Sequence, residues 1–138
     1  MCIQLRFFIG LVLLAGCGGD SGFAPVSGRV LLDGKPIEGA AVLFEPESGG
    51  VPATGVTNAN GEFSLSTTGH GPGAAVGKHG VSVSKQVVAQ PNRKVEEGEI
   101  VAMKYLTPEK YASSRTSGIN IEVKRGLSPV ELQLSSAK

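Results

Sequence analysis

From Val26 onward the apolar residues recur at every second position, which restricts this chain to strands that bury one face and expose the other. Val26, Gly28, Val30 and Leu32 share one face of the first such segment, and Ala40, Val42 and Phe44 share one face of the second. Phe63 and Leu65 are expected inward on a strand at 62–66. Val81 and Val83 are expected inward at 80–85, with Ser82 and Ser84 facing water. The alternation returns at Ile119, Ile121 and Val123, and again at Val130, Leu132 and Leu134. No stretch of this region sustains a helical period.

Turn chemistry separates the strands. Asp33-Gly34 is a hairpin signal that leads through Lys35-Pro36-Ile37 into the second strand. Pro46, Gly49, Gly50 and Pro52 break the chain before a short third strand at 53–57. In Asn58-Ala59-Asn60-Gly61 the Asn and Gly residues tolerate positive φ, so backbone geometry alone explains them. A calcium loop would need several carboxylates, and this stretch offers only Glu62 before the core residue Phe63. The Gly- and Pro-rich run 69–77 crosses to the next strand. This spacing predicts an all-β fold, a seven-stranded Greek-key β-sandwich formed by one domain at 26–138.

Composition narrows what such a domain can do. With Arg6 set aside as part of an N-terminal signal, 12 of the 13 bases remain against 12 acids. They are interspersed, so nucleic acid is not an expected partner. Cys2 and Cys17 are the two cysteines, both near the N-terminus, so the domain is expected to hold no disulfide, thiol nucleophile or cysteine metal site.

The N-terminus reads as an address. Arg6 precedes nine apolar residues, Phe7 to Ala15, a length that suits a signal peptide and is too short to span a bilayer. Leu14-Ala15-Gly16-Cys17 resembles the lipobox of bacterial lipoproteins, which implies cleavage after residue 16 and diacylglycerol on the Cys17 thiol. Residues 1–16 are thus the expected signal peptide and 17–25 the lipidated cysteine with a flexible tether. The expected location is extracytoplasmic, on the periplasmic face or the cell surface, with the membrane as a partner through the lipid anchor.

A family resemblance rests on the order of several short motifs. Val26-Ser27-Gly28-Arg29-Val30, Gly34-Lys35-Pro36-Ile37, Ala40-Ala41-Val42 and Thr57-Asn58-Ala59-Asn60-Gly61-Glu62-Phe63 together resemble the carboxypeptidase regulatory-like, transthyretin-like (prealbumin-like) β-sandwich domain. Asn58 stands where that pattern more often has aspartate. Leu106-Thr107-Pro108-Glu109-Lys110-Tyr111 and Thr116-Ser117-Gly118-Ile119 are similar to a subgroup of small bacterial lipoproteins with this domain alone. The resemblance implies a fold and a location and no reaction. Transthyretin-like ureide hydrolases end in Tyr-Arg-Gly-Ser, whereas this chain ends Leu134-Ser135-Ser136-Ala137-Lys138, so that activity is not expected.

No set of residues here has catalytic or metal-ligand spacing. His70 and His79 stand nine apart with no third ligand nearby, and are expected to be exposed or capping. Lys35, Lys78, Lys85, Asn120 and Glu122 are the residue types of an internal isopeptide bond, with solvated charge as the ordinary reading. No cofactor or metal is implied, and the chain is not expected to be an enzyme.

The longest irregular segment is 86–117, and loops of that length are usually functional or disordered. It contains both tyrosines, Tyr105 and Tyr111, the candidate binding residues, although both rings are better read as covering one end of the core. Thr107-Pro108 has the form of an N-cap followed by a first helical residue. The expectation is a non-enzymatic structural or protein-interaction module of the cell envelope, with an envelope protein or a glycan as the open partner. The alternative is a peptide- or carbohydrate-binding lipoprotein that uses strand edges or this loop.

Overall fold

The structure, a computed structural model, describes residues 22–127 and 129–136. The expected signal peptide at 1–16, the lipid-bearing Cys17 and the tether as far as residue 21 lie outside the described residues. Within the rest of the expected tether, β1 (Phe23–Ala24) is already a strand, and Ala24 is buried.

The next strand, β2 (Ser27–Leu32), turns at Asp33-Gly34 into β3 (Lys35–Pro36). Both turn residues have positive φ, 50° and 82°, as a two-residue hairpin turn of this hand requires. Next come β4 (Ala41–Pro46) and β5 (Ala53–Val56), then the Asn58 turn. There the Asn58 side-chain oxygen accepts from the amides of Asn60 and Glu62 at 2.9 and 3.0 Å, so it is committed to the turn. Beyond it, β6 (Glu62–Ser64) and β7 (Ser66–Thr67) replace the single strand expected at 62–66. The chain changes sheets at Leu65, whose amide donates to the Val26 carbonyl at 2.9 Å. The short β8 (Gly71–Pro72) and β9 (Ala74–Ala75) occupy the expected crossing, and β9 pairs with β1. The eight-residue β10 (Gly77–Ser84) starts three residues before its expected position. After it come β11 (Gln86–Val88), β12 (Met103–Tyr105), a 3₁₀ turn at Glu109–Ala112 and one short helix, α1 (Ser114–Ser117). Finally β13 (Asn120–Val123) and β14 (Val130–Leu134) close the fold.

The fold is all-β, built from several mostly antiparallel sheets. The largest has the order β13-β10-β4-β5-β7-β8, antiparallel throughout. In a second sheet β2 is central: β14 runs parallel along one side, from Val130 opposite Gly28 to Leu134 opposite Leu32, while β6 and β3 share the other side. Both sheets contribute to one core. Val42, Phe44, Val81, Val83 and Val123 come from the first and Val30, Phe63, Leu132 and Leu134 from the second. The rings of Phe44 and Phe63 lie 6.4 Å apart at 52° between the sheets. Each such side chain contributes roughly 1.5–3 kcal/mol on burial.

Close approach favours glycine at several positions, most tightly at Gly28. A Cβ on Gly28 would lie 2.1 Å from the Val130 carbonyl oxygen and 2.9 Å from Phe63 Cζ, so the parallel β2–β14 pair depends on its absence. A Cβ on Gly80 would meet Ser114 Cβ at 3.0 Å, because the 3₁₀ turn and α1 pack over β10. That packing corrects the expectation for Ser82, which is buried rather than facing water. Ser117 Oγ caps the arrangement by donating to the Val81 carbonyl at 2.5 Å.

Candidate interaction surface

The expected irregular segment 86–117 divides into an exposed half and a buried half. In the buried half Tyr111 is 7% exposed, and its hydroxyl accepts from the Ser135 amide at 3.0 Å. The ring belongs to the core and does not offer a face for stacking on a sugar. Thr107 is buried as well, but it does not cap a helix. Its hydroxyl accepts from the Lys85 amide at 3.0 Å, and the 3₁₀ turn begins after Pro108 with no side-chain cap. The N-cap reading fails because tying the end of β10 to this segment uses the threonine oxygen.

The exposed half is a two-stranded ribbon, in which Gln86 pairs with Tyr105, Val87 with Lys104 and Val88 with Met103. The pairing continues one step outward, where the Ala89 amide donates to the Ala102 carbonyl at 2.9 Å. Neither strand of the ribbon pairs with any other strand among the described residues. Side chains alternate across a strand, so Val88, Val101, Met103 and Tyr105 share one face of the ribbon. Val88, Val101 and Met103 are exposed, Met103 by 53%, and in the connecting loop Ile100 is 93% exposed and Val95 is exposed too. These side chains together make an apolar face, whereas single exposed residues such as Val51 and Val56 need no explanation. In the loop beside the face Arg93 pairs with Glu99, and Lys94, Glu96 and Glu97 are exposed, while Lys104 points to the other side of the ribbon.

At the base of the ribbon Tyr105, Leu106, Pro108, Glu109, Lys110 and Ser136 line an open groove of about 460 Å³. Tyr105 is half-buried there, and Tyr111 is not among the residues that line it. Asp33 holds the far wall through Ser136, whose amide and hydroxyl donate to its two carboxylate oxygens at 3.0 and 2.5 Å. The Ser136 hydroxyl, then the Ser136 amide, and also the charge of Lys35, set the Asp33 carboxyl below its ordinary value of 3.8.

The other candidates disperse. His79 is 1% exposed, correcting the expectation of an exposed or capping residue. Its Nε2 lies 2.6 Å from the Ala75 carbonyl and its ring tilts against Phe44. It falls on the same strand face as Val81 and Val83, and Nδ1 has no partner among the described residues. His70 is exposed and stacks on Phe23, with ring centroids 4.3 Å apart. No group of three or more metal-ligating side chains occurs among the described residues. Lys78 faces Glu122 across the β10–β13 pair and Asn120 faces Gly80, but all three charged or amide side chains are exposed and Lys35 lies on β3. The apolar face of the ribbon was concealed in the sequence by the charge run 93–99, although Val101, Met103 and Tyr105 do alternate. Comparison with protein-family models, curated proteins and solved structures gives no match to this chain.

Proposed function

We propose that this chain is a lipid-anchored, non-enzymatic interaction module of the bacterial cell envelope, held to the membrane through Cys17. In this reading the two sheets form a Greek-key sandwich of the carboxypeptidase regulatory-like, transthyretin-like kind. The observation that carries the reading is the exposed apolar face of Val88, Val101, Met103 and Ile100 on a ribbon outside the main sheets. A face of this composition loses free energy to water until something covers it, at roughly 25 cal/mol per Å² of apolar surface. The lipobox-like Leu14-Ala15-Gly16-Cys17 supports the location in this reading.

The test is intact mass and membrane fractionation of wild type and Cys17→Ala in a bacterial host. Wild type is expected to lose residues 1–16, gain acyl mass and sediment with membranes, while the variant remains unacylated. If the two proteins have the same processing and distribution, the anchor is excluded.

A further inference from the structure

We infer that the end of the domain formed by β1, β9 and the β7–β8 turn lies against the lipid surface that holds the anchor, so that the ribbon points away from the membrane. This contact rests on the proposed function above and adds the face that the bilayer covers. Strand register locates the end. Thr67 stands opposite Ala53, Ala53 opposite Phe44 and Phe44 opposite Val81, so the turn at 68–70 projects toward the Gly77 end of β10. The first described residue, Gly22, is at the same end. Its carbonyl accepts from the Val76 amide at 2.8 Å, and the Phe23 ring beside it stacks on His70 of the turn, with centroids 4.3 Å apart. Five residues link Cys17 to Gly22, a reach of at most about 18 Å, so the acyl chains deliver this end of the domain to the bilayer.

The chemistry of this end suits a headgroup boundary. The chain carries 13 bases and 12 acids, yet between Ser48 and Gly77 the one acid or base is Glu62, which pairs with Arg29, and 22–28 has none. Ionised groups resist leaving water, so a surface without them approaches lipid at little cost. What this end exposes instead is Val76 and Pro72 beside the Phe23–His70 stack, apolar bodies with one polar tip. Toward β13 the same end carries Lys78, Lys124 and Arg125 against Glu47 and Glu122, and that balance favours anionic headgroups. The ribbon has the opposite character. Its loop sets Glu96, Glu97 and Glu99 against Arg93 and Lys94, and the nine extended steps from Val76 to Lys85 put its base roughly 30 Å from the anchored end.

The test labels the full chain, expressed in a bacterial host, with a thiol-reactive fluorophore at Thr68→Cys or at Gln86→Cys, at the two ends of β10. Processing removes Cys2 and acylates Cys17, so the introduced cysteine is the one free thiol of the anchored protein. The protein is placed in vesicles of phosphatidylethanolamine and phosphatidylglycerol that contain headgroup-spin-labelled lipid, and quenching is read. Quenching at Thr68→Cys is expected at about five-fold or more that at Gln86→Cys, because interfacial burial reaches roughly 5–10 Å and the sites stand roughly 30 Å apart. Adding Val76→Glu is expected to remove most of the quenching at Thr68→Cys, whereas adding Val56→Glu leaves it unchanged. If Val76→Glu has no effect, the short tether alone explains the proximity and the contact is overturned. Equal quenching at the two sites in vesicle-bound protein overturns the contact while leaving the anchor standing. Stronger quenching at Gln86→Cys puts the ribbon on the lipid and overturns it as well. Wild type that takes the label at Cys17 shows the anchor to be absent, and the contact falls with it.

Discussion

Strands β4 and β10 and the ribbon of β11 and β12 are built from the same chemistry, antiparallel ladders with β-branched residues on one face, but they differ in what covers that face. Val42, Phe44, Val81 and Val83 are sealed between two sheets, while Val88, Val101 and Met103 of the ribbon face outward. The first region is what makes the chain fold. The second gains no burial from the fold, so the two should respond differently to substitution.

The largest contrast is in stability. Phe44→Ala is expected to cost about 3–5 kcal/mol in chemical denaturation, because it opens a cavity where Phe63 and His79 meet the ring. Met103→Ser is expected to stay within about 0.5 kcal/mol of wild type. Equal losses for the two would erase the distinction. Gly28→Ala comes next, at about 3 kcal/mol, since the Val130 carbonyl lies where the methyl must go and backbone has to move. A neutral result would mean that β14 is not held against β2.

Tyr111→Phe sharpens the division inside the segment 86–117. It removes the acceptor of the Ser135 amide and is expected to cost about 1 kcal/mol, whereas Tyr105→Phe costs nothing measurable. The smallest effect concerns Asp33. Its carboxyl is held below 3.8 in the folded chain, so the stabilisation it gives is present above 3.8 and is lost as pH falls through the range below. Asp33→Asn, which tolerates the positive φ at this turn, is expected to be slightly less stable than wild type at neutral pH. That difference should vanish in strong acid, as a pH series of unfolding midpoints would show.

The strand alternation and the turns were legible in the sequence because each is local. Asp33-Gly34 and the Asn58 turn stand where their residues placed them, and the parity of Val81 and Val83 also accounts for buried His79. The parallel pairing of β14 with β2 was not legible, because it joins residues about a hundred positions apart with no turn to announce it. Leu65 as a sheet switch and Ser82 as a buried residue depend on what packs against them from elsewhere. For the candidate surface, the sequence marks Tyr105 and the segment 86–117 and carries the alternation of Val101, Met103 and Tyr105, but only the pairing with β11 brings Val88 onto the same face.

Amide hydrogen exchange on the full chain in its membranes asks most directly whether the ribbon face is covered. Wild type is to be compared with the Ile100→Ser/Met103→Ser double variant. Slower exchange at Gln86–Val88 and Met103–Tyr105 in wild type than in the variant, with β4 and β10 unchanged, is the expected result. Equal ribbon exchange in the two proteins would contradict the assignment of this face as a contact surface.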